Sequence, residues 1–293
     1  MDKSKIEWCD MAFNPITGCL GINGKLCEYC YAKGTARRFG GFEPRCGGEV
    51  IPKGEGTCPG SIHNATHGKT LHIFDKQPMR RLRARGYPNG KFVKTSYPYN
   101  FEPTFHRYRL DEPQSIKETQ TIFVGSMADM FGDWVPDEWI VEVFKACEAA
   151  SWHRYLFLTK NPKRYTQDPL FFSVPPGSYK KWWFGTTVCN QAEYNTRAMK
   201  LPLYRTCFLS IEPMQDAINT TIDEFNDLKT LPVKWVIIGA ETGNRKGKII
   251  PKREWIENIV NACREAKIPV FLKNNLADAG VWGKKELIQE YPF

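Results

Sequence analysis

The sequence predicts an α/β fold, a full or partial (β/α) TIM-type barrel of six to eight parallel strands. Three observations carry that expectation. From residue 121 onward, short β-branched and aromatic runs alternate with amphipathic stretches of helical period. The runs are apolar on both faces, as buried parallel strands are. Each run then ends in small or polar residues, which a parallel barrel gathers at one mouth.

The strands are expected at Thr121-Ile-Phe-Val-Gly125, Tyr155-Leu-Phe-Leu-Thr159, Trp182-Trp-Phe-Gly-Thr-Thr187, Thr206-Cys-Phe-Leu-Ser210, Trp235-Val-Ile-Ile-Gly239 and Pro269-Val-Phe-Leu-Lys273. Two more are expected before them, one near Ala12-Phe-Asn-Pro15 and one near Phe92–Thr95 or Tyr99–Glu102. Between the strands, Pro136 to Glu148 and Pro251 to Arg264 each open with proline and acids and carry an apolar stripe of helical spacing. Repeated β-then-α units imply right-handed crossovers and a parallel sheet. A doubly wound open sheet is the alternative, but no glycine-rich dinucleotide fingerprint follows any strand. Residues 33–90 break the rhythm, being rich in Gly, Arg, Lys and His. They read as an irregular insertion near the mouth of one domain spanning residues 1–293.

Composition is that of an ordinary globular chain, 42% hydrophobic and 25% charged over 293 residues. Apolar runs are too short to span a membrane, and the first residues contain no apolar signal core, so a cytoplasmic location is expected. Lys plus Arg exceed Asp plus Glu by 41 − 32 = 9. That surplus favours a polyanionic partner such as DNA or RNA, with a merely basic soluble enzyme as the alternative. Met79-Arg-Arg-Leu-Arg-Ala-Arg-Gly86 concentrates the charge, either to track phosphates or as a solvated helix face.

Ten cysteines in a cytosolic chain point to metal or catalysis more than to disulfides. Cys9, Cys19, Cys27, Cys30, Cys46 and Cys58 crowd the first fifth; Cys147, Cys189, Cys207 and Cys263 sit among apolar neighbours and read as small buried hydrophobes. Cys27 and Cys30 have the spacing that lets two thiolates grip one metal centre. Cys19 precedes a seven-residue loop with Gly21 and Gly24 that can fold back and deliver a third. After Cys30 a helix start is expected, whose N-terminus favours anionic ligands.

Three cysteines at the end of a first strand, closing in Cys-x-aromatic-Cys, resemble the radical S-adenosylmethionine (SAM) superfamily. The first spacing differs, seven residues here where the superfamily usually has three. The resemblance implies that Cys19, Cys27 and Cys30 hold a [4Fe–4S] cluster whose open iron chelates SAM, and that Tyr29 takes the aromatic position. It implies a 5′-deoxyadenosyl radical as the reagent and a reductant such as flavodoxin or ferredoxin as partner. A closer resemblance runs nearly full length through Ile6-Glu-Trp8, Asn14-Pro-Ile-Thr-Gly-Cys19, Cys27-Glu-Tyr-Cys30-Tyr-Ala32, Phe105 to Pro113, Ser126-Met-Ala-Asp-Met-Phe131, Leu158 to Pro162, Ser210-Ile-Glu-Pro213 and Ile238 to Gly243. These look like a three-cysteine-motif family of phages and bacteria, of unassigned function.

Carried onto the strand ends, the superfamily implies SAM contacts from Ser126 and Asp129, from Thr186 and Glu212 at the ribose or amino acid, and from Gly239 and Glu241 at the adenine end. Glu212 is alternatively a rim carboxylate paired with a Lys or Arg. Gly47-Gly-Glu49 spells the tripeptide that touches the SAM amino group in many members.

Rival readings stay open. Cys27 and Cys30 would form a structural zinc site with Cys9 and Cys19, or with Cys46 and Cys58. Cys46, Cys58, His63, His67 and His72 have the spacing of a second zinc site or form a polar loop. His106 and His153 stand alone and read as structural. Tyr97 to Phe101 and Trp182-Trp183 are core aromatics or base-stacking groups. The function expected is radical chemistry on a nucleic-acid base or nucleotide, a photoproduct-lyase-like repair being one version. The alternatives are a zinc-stabilised nucleic-acid-binding protein without redox chemistry, and a radical SAM enzyme acting on a peptide or small metabolite.

Overall fold

The computed structural model describes residues 1–41, 45–46, 49–50, 62–64, 69–82, 90–170, 173–174, 180–220 and 228–293. The chain opens with β1 (Asp2–Lys3), β2 (Met11–Phe13), β3 (Ile16–Thr17) and α1 (Tyr31–Phe39). The region of the irregular insertion carries β4 (Arg45–Cys46), β5 (Glu49–Val50), β6 (Ile62–Asn64), β7 (Lys69–Phe74) and β8 (Met79–Leu82); β9 (Lys91–Lys94), β10 (Thr104–His106) and α2 (Glu112–Ser115) follow. The remainder is β11 (Thr121–Val124), α3 (Asp137–Ala149), β12 (Arg154–Thr159), β13 (Trp182–Thr187), α4 (Gln191–Arg197), β14 (Thr206–Ile211), β15 (Val233–Ile238), α5 (Arg253–Ala266), β16 (Val270–Leu272) and α6 (Asn274–Asp278).

Seven strands run parallel in chain order, β2-β11-β12-β13-β14-β15-β16, with β1 antiparallel on the outer edge of β2. This is a curled half-barrel: β2 pairs with β1 and not with β16, so the sheet does not close on itself. All six strands expected after residue 120 are present and parallel. Of the two earlier ones, Met11–Phe13 joins the barrel sheet. The other expectation is corrected: Lys91–Lys94 pairs with Met79–Leu82 in a separate antiparallel hairpin, and residues 98–101 form turns. Met79–Leu82 is therefore a strand and not a helix face, while Arg83 to Gly86 lie outside the described residues.

Side-chain alternation divides each strand between two cores. Phe123, Leu156, Trp183, Phe208, Trp235, Ile237 and Phe271 point inward and fill the barrel with Trp8. Their neighbours, among them Ile122, Tyr155, Phe184, Leu209 and Ile238, point outward onto α3 and α5. Gly185 falls on the inward set, where a Cβ would stand 2.4 Å from the Phe208 ring. The glycine is the space in which that phenyl sits.

The open side is sealed by the chain's two terminal segments. The tail runs along the free edge of β16, with Leu272 N–H donating to Ile288 O at 2.7 Å and Glu290 N–H to Val270 O at 2.9 Å. An edge so covered offers no template for another strand. On the other flank the loop of residues 4–9 crosses the gap: Asn274 N–H donates to the Glu7 carboxylate at 2.7 Å, and the Tyr291 hydroxyl to Glu7 O at 3.0 Å. Trp8 enters from this loop, 4.7 Å from Phe123 and 6.3 Å from Trp235 between ring centroids. Phe293 closes the floor against Trp183 and Trp235 at 5.8 and 5.7 Å.

A second sheet, β3-β10-β7-β6, flanks the barrel, and its Ile16, Leu71, Ile73 and Phe105 pack into the same outer core. His106 is buried there with Nε2 2.8 Å from the Thr17 hydroxyl, and His153 bridges Gln120 N–H and Pro113 O. Both are structural. No described helix is long and apolar enough to cross a membrane.

Candidate functional site

At the C-terminal ends of the barrel strands lies a cavity of about 460 Å3. That size suits a small organic ligand or cofactor. Cys19, Cys27 and Cys30 all line it.

The loop between the first two is a built hairpin. Ile22 and Lys25 exchange backbone hydrogen bonds of 3.1 and 2.9 Å across Asn23 and Gly24, both at positive φ (51° and 76°). That is the signature of a tight type I′ turn. The extra residues therefore project as a finger, and Cys27 returns beside Cys19. Gly18 at φ 85° lets the chain pass against the backbone of Phe101 and Glu102, where a Cβ would meet Glu102 O at 2.3 Å. Cys30 caps α1, its sulfur accepting from Lys33 N–H at 3.4 Å, and Cys19 Sγ accepts from Gly21 N–H at 3.2 Å. Backbone donors at two sulfurs and the start of a helix at one favour thiolates. Burial nevertheless pushes Cys19 up to about 12 and raises Cys30. Protons therefore stay on these sulfurs at neutral pH until a cationic group displaces them.

Around the rim, Ser126 donates to Asn14 Oδ1 at 3.1 Å, which also accepts from Met127 N–H at 3.0 Å. Asp129 receives the Thr159 hydroxyl at 2.6 Å and Lys160 N–H at 2.9 Å, tying β11's end to β12's. Glu241 is buried and held bidentately by Arg245 at 2.7 and 2.8 Å. Arg245 also lies 3.6 Å from Glu28, between the last two cysteines, so it couples the cysteine loop to the end of β15. Glu212 is paired with Lys273. The alternative given to Glu212 by the sequence, a rim ion pair, is present.

Ser126, Asp129, Glu212, Glu241 and Tyr29 line the cavity with the three cysteines; Thr186 and Gly239 do not. Thr186 is on the outward parity, fully buried, and its hydroxyl donates to Thr159 O at 2.9 Å. Thr187, the next residue, faces the cavity in its place. Gly239 has the inward parity, but the room it leaves is filled by Lys273 and Glu212.

The structure adds groups the sequence reading missed. The Tyr29 hydroxyl lies 3.1 Å from Cys189 Sγ, so Cys189 is not merely a small hydrophobe. Lys160 Nζ stands 5.7 Å over the Tyr29 ring, and Lys273, Tyr31 and Asn275 also face the cavity. Burial raises the Tyr29 phenol far above its ordinary value, so it stays neutral and keeps its proton for that contact.

A family described as "Protein of unknown function (DUF5131)" matches residues 3–55 and 71–291. The chain belongs to this family. No curated protein matches the sequence. Two solved structures of spore photoproduct lyase, one complexed with dinucleoside spore photoproduct and one a cysteine-to-serine mutant, superpose with TM-scores of 0.49 and 0.48. Each is 12% identical, and the match covers 92% of this chain and 78% of theirs.

In this family member no three described His, Cys, Asp or Glu side chains close on a single ion. The three thiols share one cavity. Cys9 donates to Ile6 O at 3.7 Å and packs on the barrel interior, outside that cavity. Of the second zinc constellation, Cys58 and His67 lie outside the described residues, and Cys46 and His63 are described in backbone only. His72 is buried, bonded to Glu102 at 2.8 Å and stacked on Tyr99 at 3.6 Å. Gly47 and Gly48 also lie outside the described residues, so the Gly-Gly-Glu motif is not placed. Trp182 and Trp183 are core, which removes them as stacking groups, whereas Phe101 lines the thiol cavity and Tyr97 a neighbouring one.

Proposed function

We propose that this protein is a radical SAM enzyme acting on a nucleic-acid base or nucleotide. The observation that carries the reading is the convergence of Cys19, Cys27 and Cys30 on one cavity at the strand C-termini of a parallel half-barrel. The three thiols would hold the cluster; it and SAM, when bound, supply a reducing electron and a carbon-centred radical.

The chain's own residues bind, orient and exclude. Glu212 and Glu241 add carboxylates to the cavity lining, where the amino group and ribose hydroxyls of SAM need acceptors. Their partners Lys273 and Arg245 hold those carboxylates in place, and Lys273 supplies a cation for the SAM carboxylate. Ser126 and Asp129 fix the ends of β11 and β12, so the cavity wall facing Cys19 is pre-organised. Trp8, Phe123 and Leu158 form an apolar floor that keeps water from the reacting centre. The positive net charge supports a polyanionic substrate.

Anaerobic reconstitution with iron and sulfide, followed by dithionite and SAM, tests the reading. Formation of 5′-deoxyadenosine by a brown protein is expected. A colourless protein holding one zinc and leaving SAM intact would instead establish the zinc-stabilised binding protein.

A further inference from the structure

A second cavity of about 280 Å3 adjoins the thiol cavity. Lys3, Lys5 and Arg109 give it charge, and Ser4, Asn14 and Ser96 give it hydroxyl and amide groups; no carboxylate is among its described lining residues. Arg109 is held by Glu112 at 2.8 and 3.1 Å, which largely offsets its charge and fixes its direction. Lys3 and Lys5 are exposed and make no ion pair among the described residues, so the surplus positive charge is theirs. Both line the cavity.

Tyr31 stands between the cavities. Its hydroxyl donates to Ser126 O, and both residues line both cavities. Although it opens α1, Tyr31 is 54% exposed, so its ring is presented to whatever spans the two spaces. A cation pair, then a presented aromatic ring, then a reaction cavity suit a nucleotide whose phosphate sits on the cations and whose base passes the ring into the cavity, with the sugar between them.

We propose that the second cavity is a phosphate subsite of the reaction site. The substrate is a nucleotide, free or within a strand, whose phosphate rests on Lys3, Lys5 and Arg109 while its base passes Tyr31 toward the thiols. This rests on the radical SAM reading for what happens in the thiol cavity, but not for the binding itself.

The test is binding to the reconstituted full-length protein, measured by fluorescence anisotropy with a labelled single-stranded dodecathymidylate, with thymidine 5′-monophosphate and thymidine as competitors. A Lys3→Ala/Lys5→Ala variant is expected to bind the oligomer at least tenfold more weakly. Its slope of log Kd against log salt should fall by about one. Lys145→Ala, on the exposed side of α3 and outside both cavities, serves as the charge control and should lose little. Competition by the monophosphate but not thymidine assigns the subsite to a free nucleotide; competition by neither, with oligomer binding still lost in the variant, assigns it to a strand's backbone. Oligomer affinity and salt slope equal in wild type and double variant overturn the proposal. A failure of the radical SAM reading would show separately, as absent iron or uncleaved SAM with phosphate binding intact.

Discussion

Glu212 at the end of β14 and Lys273 at the end of β16 are joined by an ion pair that crosses the intervening strand over Gly239. A Cβ on Gly239 would stand 3.0 Å from Lys273 Cδ and 3.3 Å from Glu212 Cδ. The pair and the glycine are thus one arrangement, with the backbone left bare so that two side chains can meet across it.

Gly239→Ala meets mobile side-chain atoms, which can shift. Its stability cost should be about 1 kcal/mol or less, whereas Gly185→Ala, driven into the Phe208 ring among packed aromatics, should cost about 2–3 kcal/mol. Urea denaturation of the two variants measures both. A Gly239→Ala protein as damaged as Gly185→Ala would mean the ion pair is rigidly fixed.

The side chains of Lys273 and Glu212 are 12% and 24% exposed, so breaking the pair strands a largely desolvated charge. A double-mutant cycle of Glu212→Gln and Lys273→Met should show coupling of about 1–2 kcal/mol. If Glu212 also accepts the SAM ammonium, Glu212→Gln should weaken SAM binding by roughly 1.5–3 kcal/mol in calorimetry. Unchanged SAM affinity with the iron retained would leave Glu212 as a rim strut.

The strands of the half-barrel were legible because each is a short apolar run closed by polar residues, and the helices because their stripes and first-turn acids are strong. Which of two adjacent residues faces the mouth was not legible. With both faces apolar, as in Trp182 to Thr187, no polar alternation marks the parity, and Thr186 was chosen where Thr187 faces the cavity. Gly185 was the available signal, since a glycine inside such a strand marks close approach on its own face. Lys273, Tyr31 and Cys189 were out of reach for another reason: their partners Glu212, Ser126 and Tyr29 lie 61 to 160 residues away, and no local pattern announces such pairs.

Loss of any one thiol should abolish cluster loading. Cys19→Ala, Cys27→Ala and Cys30→Ala are each expected to lack stoichiometric iron and sulfide and to leave SAM uncleaved. Cys147→Ala and Cys263→Ala, whose thiols are buried against the outer core, should keep both. Normal iron content in any of the first three would move the ligand set elsewhere.

Acid should destabilise the protein through His106. Burial depresses its pKa to about 3, while an unfolded histidine titrates near 6.5. The unfolded chain therefore binds a proton that the folded one refuses, and stability declines as pH falls from about 6.5 toward 3. Urea midpoints over that range should drop less steeply in His106→Gln than in the wild type.

The way the barrel is sealed ties distant parts of the chain into one unit. A closed barrel shares its circumference among equivalent strand pairs, but here the seam depends on Trp8, Glu7 and the segment from Ile288 to Phe293. Local opening of that seam exposes β2 and β16 together, although some 260 residues separate them. Amide protons of Met11–Phe13 and Val270–Leu272 should then exchange with deuterium at matched rates, and Trp8→Ala should accelerate both sets while sparing β12 and β13.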